Sequence, residues 1–267
     1  MPNVTTRDLL DMKQKGERIV ALTCYDALFA RLLDASGVDI LLVGDSVNQV
    51  LAGAPTTLSA TLEQMIYHTT IVRRGAERAL VVCDMPFLTY QVSAEDAVRN
   101  CGRAMRESGC HAVKLEGGQP MAATVRRLVD VGIPVMGHIG LTPQSVHALG
   151  GYRVQGRDSG AAERLKADAK ALEDAGAFAV VLELLPAPLA SQITKSLTIP
   201  TIGIGAGPAC DGQVLVLHDM LGLNEQFSAK FVKKYAALAE DVREAVRLFS
   251  AEVREGRYPG PEHSLEK

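Results

Sequence analysis

Four carboxylates, a lysine and a histidine in this chain stand at or beside the ends of apolar runs. Asp45 and Ser46 follow Ile40-Leu41-Leu42-Val43-Gly44, and Asp84 follows Leu80-Val81-Val82-Cys83. Glu116 closes Ala112-Val113-Lys114-Leu115, His138 comes near the end of the run from Pro134, and Glu183 follows Val180-Val181-Leu182. A charge that ends a buried strand is costly unless something compensates it. If the strands are parallel neighbours, all six groups meet at one rim.

Each residue also has a plainer explanation. Asp45 and Asp84 serve equally as caps or turn residues, and Lys114 with Glu116, two positions apart on one strand face, could form a pair that satisfies itself. His138 could be a structural hydrogen-bonding residue, and Glu183 the partner of a neighbouring Lys or Arg. The set is more informative than its members. Asp45, Asp84, Glu116 and Glu183 bring four negative charges against the one of Lys114, a balance that a dry site cannot keep without a cation. Asp45, Asp84 and Glu116 are hard oxygen donors, and no Cys/His cluster indicates zinc, so the expected ion is Mg2+. A metal-chelated 2-oxo acid fits such a site. In an apolar surround, Glu183 would be a good acceptor for a proton next to the carbonyl.

The elements that must position these groups follow from the alternation of apolar runs with helical periodicity. Strands are predicted at 19–26, 40–46, 80–87, 112–116, 134–139, 179–184, 200–205 and 213–218. Helices are predicted at 5–14, 27–36, 61–74, 93–108, 121–131, 161–175, just after 186, and 227–253. Runs without polar alternation indicate a parallel sheet covered on both faces. Eight such units in 267 residues fit a single (β/α)8 TIM barrel over residues 1–267, with an extra N-terminal helix plugging its lower end and a long C-terminal helix. The rival is an open doubly wound sheet, but no GxGxxG follows the first strand. The connection 206–212 is too short for a full helix and is the weakest point of the barrel assignment. Two long loops, 47–59 and 141–160, are candidates for function. Gly203, Gly205 and Gly207 top the seventh strand, as a phosphate site or as a tight turn.

Composition narrows the partners. A formal net charge of −3, no Trp and 4% aromatic residues give no case for nucleic acid or an anionic membrane. The five Cys, at 24, 83, 101, 110 and 210, form no CxxC pair and read as reduced thiols. With no signal-like or membrane-spanning run, the expectation is a cytoplasmic protein acting on small molecules.

Beyond these residues, an ordered set of motifs resembles the ketopantoate hydroxymethyltransferase family from end to end. It comprises Thr23-Cys-Tyr-Asp26, Leu42-Val-Gly-Asp-Ser46, Tyr67-His-Thr69, Val72-Arg-Arg-Gly75 and Asp84-Met-Pro-Phe87. It continues with Val113-Lys-Leu-Glu-Gly-Gly118, Gly137-His-Ile-Gly-Leu-Thr-Pro-Gln144, Gly150-Gly-Tyr-Arg-Val-Gln-Gly156 and Leu182-Glu183. Ile202-Gly-Ile-Gly-Ala-Gly207, Asp211-Gly-Gln213 and His218-Asp219 complete it. The resemblance implies a (β/α)8 barrel in pantothenate biosynthesis that uses Mg2+ and 5,10-methylenetetrahydrofolate to hydroxymethylate 3-methyl-2-oxobutanoate through a Mg-stabilised enolate. By the same resemblance, Asp45 and Asp84 hold the metal, with Glu116 serving it through water. Asp45, Ser46, Asp84, Lys114 and His138 bind the substrate, and Glu183 is the catalytic proton acceptor. Assembly as a homo-oligomer, typically a decamer, is implied as well. The loop after Ser46 departs from the family pattern, which commonly has a Gly-rich loop ending in Leu-Pro. The alternatives are a related Mg-dependent barrel lyase or aldolase that acts on a 2-oxo acid without folate, and a catalytically silent barrel. The first is separated by folate dependence; loss of Asp45, Asp84, Lys114 or Glu183 would have marked the second.

Overall fold

Strands with no polar residue on either face are satisfied only when both faces are covered, and here one face turns into a barrel and the other under helices. A computed structural model describes residues 3–265. It divides into two compact units, one up to Val216 and one from Leu217 onward. In the first unit, eight parallel strands close in sequential order: β1 (Ile19–Thr23), β2 (Ile40–Val43), β3 (Leu80–Asp84), β4 (Ala112–Glu116), β5 (Val135–Gly140), β6 (Ala179–Glu183), β7 (Thr201–Ile204) and β8 (Gly212–Leu215). The fold is a (β/α)8 barrel, as expected, and the open-sheet rival is excluded by the pairing of β1 with β8.

The helices of this unit are α1 (Thr6–Lys15), α2 (Ala27–Ala35), α3 (Val47–Val50), α4 (Leu62–Gly75), α5 (Ala94–Ser108), α6 (Ala122–Asp130), α7 (Ser159–Asp174) and α8 (Ala187–Ser196). Their ends are chemically marked. Thr5 and Thr61 form capping boxes with Asp8 and Gln64, and Ser93 accepts from the backbone N–H of Asp96. Helix α1 does plug the barrel: Leu9 is fully buried in one cluster with Ile19, Ile40, Leu80, Ala112, Met136, Ala179 and Ile202, the early residues of the strands.

The short β7–β8 connection is compatible with closure because Asp211 replaces a missing helix as the tie. Its carboxylate accepts from the backbone N–H of Thr201 at 2.8 Å and from Lys13 Nζ at 2.8 Å. Gly205 and Gly207 both have positive φ, which fits the tight-turn reading of this segment.

Several boundaries in the sequence reading require correction. The first three strands end at Thr23, Val43 and Asp84 rather than at 26, 46 and 87, Asp26 serving instead as the cap of α2. The eighth strand ends at Leu215 rather than at 218, because residues from Leu217 begin α9 (Leu217–Met220) of the second unit. The C-terminal helix is α10 (Leu238–Arg254) and does not start at 227. The preceding segment spends backbone donors elsewhere within this unit, with Tyr235 N–H bonded to Met220 O and Leu238 N–H to Leu221 O. Among the described residues, no helix is long and apolar enough to cross a membrane. All five cysteines are buried free thiols.

Candidate active site

The interior face of the barrel changes from apolar to charged as the strands rise. Leu80 and Val82 are core residues, and the next residue on that side of β3 is Asp84. Ala112 is followed on its face by Lys114 and Glu116, Met136 by His138, and Ala179 and Val181 by Glu183. The period of two that buries the core therefore delivers the titratable groups to the C-terminal rim, where barrel sites lie. Register makes them neighbours: Asp84 pairs with Lys114, and Glu116 with His138.

Lys114 Nζ donates to Asp84 Oδ1 at 2.7 Å, so Lys114 pairs across strands and the self-satisfied Lys114–Glu116 explanation fails. Burial opposes the Lys114 charge, but Asp84, Glu116 and Asp45 outweigh it and hold the ammonium above its ordinary pKa. The other oxygen of Asp84 accepts from the backbone N–H of Asp45 at 3.3 Å, so the two acids occupy one locus on one rim. Asp45 itself is buried and is pushed well above the usual carboxylate range by desolvation and by the charges of Asp84 and Glu116. Ser46 opens α3, with its Oγ 2.9 Å from Tyr25 Oη.

His138 lies between two carboxylates, Nδ1 3.4 Å from Glu116 Oε1 and Nε2 3.2 Å from Glu183 Oε2. Burial and the Lys114 charge depress its pKa, yet the two glutamates override them and raise it to about 9. These contacts are held by charge more than by direction, since neither imidazole nitrogen meets hydrogen-bond geometry. For Glu116, burial favours protonation, but His138, Lys114 and the Gln144 N–H prevail and hold it below its ordinary value. Glu183 faces an imidazole rather than the Lys or Arg of the plainer explanation.

A profile of the ketopantoate hydroxymethyltransferase family matches residues 3–261. A 3-methyl-2-oxobutanoate hydroxymethyltransferase of Pelobacter propionicus is 57% identical over 262 residues, covering 98% of this chain and 97% of that protein. One of Chlorobaculum parvum is 53% identical over 268 residues, covering 99% and 97%. The chain belongs to the ketopantoate hydroxymethyltransferase family. The barrel of this family member also resembles solved structures at low identity, where the likeness concerns fold alone. A 2,3-dimethylmalate lyase, described as a PEP mutase/isocitrate lyase superfamily member, matches with TM-score 0.62 and 20% identity, covering 100% of this chain and 92% of that one. A phosphonopyruvate hydrolase in complex with oxalate and Mg++ matches with TM-score 0.64 and 12% identity, covering 98% and 92%.

All the acids that the family resemblance singles out thus converge, together with Lys114 and His138. The donors fit a hard cation. Glu116 Oε1 is a buried oxygen without a hydrogen-bond donor, beside two aspartates that already repel one another. Among the described residues, no group of three or more His, Cys, Asp or Glu is already arranged around a metal position. Carboxylate oxygens of this kind are the donors that Mg2+ takes, with water in its remaining positions. The divergent loop after Ser46 is folded by Asn48, whose buried amide donates to Thr56 O and Ser59 Oγ, each at 2.8 Å.

Sequence reasoning assigned no role to Tyr25, Tyr90 or Gln144, all buried beside these acids. Gln144 closes a quoted motif, yet a lone amide in a loop has neither charge nor periodicity to draw notice. Tyr90, in the irregular segment after β3, had no signal of its own.

Proposed function

We propose that this chain transfers a hydroxymethyl group from 5,10-methylenetetrahydrofolate to C3 of 3-methyl-2-oxobutanoate, with water, giving 2-dehydropantoate and tetrahydrofolate. The names of its relatives support the acceptor and the transferred group. The observation that carries the mechanistic reading is the charge imbalance of the site. Four acids, Asp45, Asp84, Glu116 and Glu183, crowd around Lys114 and His138, and desolvation with the charges of Asp84 and Glu116 pushes Asp45 well above the usual carboxylate range. A divalent ion would relieve that crowding.

Asp45 and Asp84 are the residues that would hold Mg2+, with Glu116 serving it through water, and the ion supplies the positive charge that makes C3 acidic. The protein groups divide the remaining tasks. Lys114 and Ser46 orient the oxo acid, the ammonium offering its charge to the substrate carboxylate. Glu183 takes the proton from C3, and His138 keeps that carboxylate turned inward through its contact with Oε2. The carbon nucleophile so formed attacks the one-carbon unit carried by folate, and hydrolysis of the adduct releases the product.

The test separates the half-reactions. Protons at C3 of the oxo acid should exchange with D2O when Mg2+ is present and folate is absent, followed by proton NMR. Adding methylenetetrahydrofolate should then yield 2-dehydropantoate. Exchange without folate-dependent transfer would favour the lyase or aldolase reading; no exchange at all would overturn the proposal.

Homo-oligomerisation, a decamer by family resemblance, belongs to the same reading. It is supported by the apolar stripe Val242, Val246, Phe249 and Val253 along α10, at the spacing of one helix face. Sedimentation velocity of the full chain tests it: a monomer would refute this part.

A further inference from the structure

The side chain of Gln144 has all four of its hydrogen-bonding positions filled. Its Nε2 donates to Asp45 Oδ2 at 3.0 Å and to Met85 O at 2.9 Å. Its Oε1 accepts from Tyr90 Oη at 2.7 Å and from Gln91 Nε2 at 2.9 Å. Its backbone N–H donates to Glu116 Oε2 at 3.0 Å. The residue is 5% exposed and sits in the long connection after β5, so one loop residue reaches acids anchored beside β2 and at the end of β4.

The orientation of this amide is determined by its neighbours. Tyr90 Oη accepts the backbone N–H of Glu116 at 3.0 Å, and its single proton is directed to Gln144 Oε1 at 2.7 Å in preference to Glu116 O at 3.4 Å. Gln91 adds a second donor to the same oxygen. A flipped amide would set N–H against the Gln91 donor and bring oxygen against oxygen at Asp45 and at Met85 O, losing three bonds in a buried site. The end that faces Asp45 is therefore the donor.

We propose that Gln144 is the positioning residue of this site: it commits Oδ2 of Asp45 and Oε2 of Glu116 to the protein, leaving Oδ1 of Asp45 for the cation and Oε1 of Glu116 turned toward His138. The proposal rests on the Mg2+-dependent reading above. Tyr90 acts one step further out, by holding the amide. Groups behind metal ligands that fix their orientation commonly matter for affinity by roughly 10–100-fold.

The experiment uses Mn2+ as the probe, titrated into the full chain without substrates while free Mn2+ is read by electron spin resonance. Gln144→Met removes the donor at similar size, and Tyr90→Phe leaves the glutamine but takes away one of the two donors that hold its amide oxygen. With thermal melting to establish folding, Gln144→Met should weaken Mn2+ by roughly 10–100-fold, and Tyr90→Phe by a smaller factor in the same direction. The KM for oxo acid should rise in parallel, while C3 exchange at saturating metal and acid stays near the wild-type rate. Loss of packing alone would lower the melting point without that split. If either folded variant binds Mn2+ within about twofold of wild type, the proposal is overturned. Should Gln144→Met not fold, Tyr90→Phe decides. A wild-type chain that binds no Mn2+ would sink the functional reading itself, and this proposal with it.

Discussion

Lys114 and Asp84 are register partners on adjacent strands, and their side chains meet at 2.7 Å with only 5% and 4% exposure. Sheet pairing, not a flexible loop, brings the charges together. A buried pair is a weak source of net stability, but breaking it leaves one charge desolvated and alone. Lys114→Met is therefore expected to lose about 3–5 kcal/mol in urea denaturation with divalent ions chelated. Adding Asp84→Leu should recover most of that loss. A single-variant loss below about 1 kcal/mol would mean that the pair behaves as a solvated one.

Glu183 shares His138 with Glu116 but stands outside the bonds made by Gln144 and Lys114. Its Oε2 faces His138, while Asp45 and Glu116 are held by Gln144, and Asp84 by Lys114 and the Asp45 N–H. Base and metal-holding roles should thus separate by mutation. Glu183→Gln keeps the side-chain shape and removes the proton acceptor, so C3 exchange should fall about 10²–10⁴-fold while Mn2+ affinity holds. Exchange at the wild-type rate would remove Glu183 from the role of base.

The position of Glu183 also depends on a glycine across the ladder. Gly140 pairs with Glu183, has φ of 97°, and a Cβ there would lie 2.2 Å from the Glu183 carbonyl oxygen. The Leu141 N–H donates to that same oxygen at 2.9 Å. Gly140→Ala should cost about 1–3 kcal/mol in backbone strain and push the Glu183 backbone away. Its exchange rate, measured well below the melting temperature, should drop further than the folded fraction does. An alanine variant with unchanged melting temperature and rate would contradict this close approach.

The parts of this architecture legible in the sequence were those written in period two. Leu80, Val82 and Asp84, or Ala179, Val181 and Glu183, show core and site on one strand face, so recognising the strand located the acid. Helix starts carry a local signature where a Thr or Ser stands three residues ahead of an Asp, as at Thr5 and Ser93. Pairing was not legible: Lys114 has Glu116 two residues away in the chain, yet its hydrogen bond goes to Asp84 on another strand. Nor was the hold exerted by Gln144 and Tyr90, whose neutral groups acquire meaning only from partners 54 residues apart in sequence. The stretch before α10 misled for a related reason, because its helical pattern lost to backbone bonds made with α9 and its neighbour Leu221.

Acid sensitivity should arise away from the reactive rim, at His111. The ring Nδ1 accepts the backbone N–H of Val81 at 2.9 Å, while the His111 N–H donates to Val81 O at 2.9 Å. One residue thereby satisfies both polar groups of a central position in β3. Burial, reinforced by the Arg73 guanidinium, holds the imidazole below its ordinary pKa of 6.5. Above that pH the ring is neutral in the native and unfolded chains alike, and no pH dependence follows. Below it, the unfolded chain takes up a proton that the native fold resists, so stability falls until the lowered native pKa is reached. Each unit between the two values corresponds to about 1.36 kcal/mol. His111→Asn offers an oxygen near the place of Nδ1 and cannot be protonated in this range. From about pH 7 down to about pH 5.5, a window above most carboxylate titrations, the urea midpoint of the wild type should therefore fall relative to that of His111→Asn, while the raised His138 pKa adds the same opposite trend to both proteins. Parallel declines in the two proteins would assign the acid sensitivity to other groups.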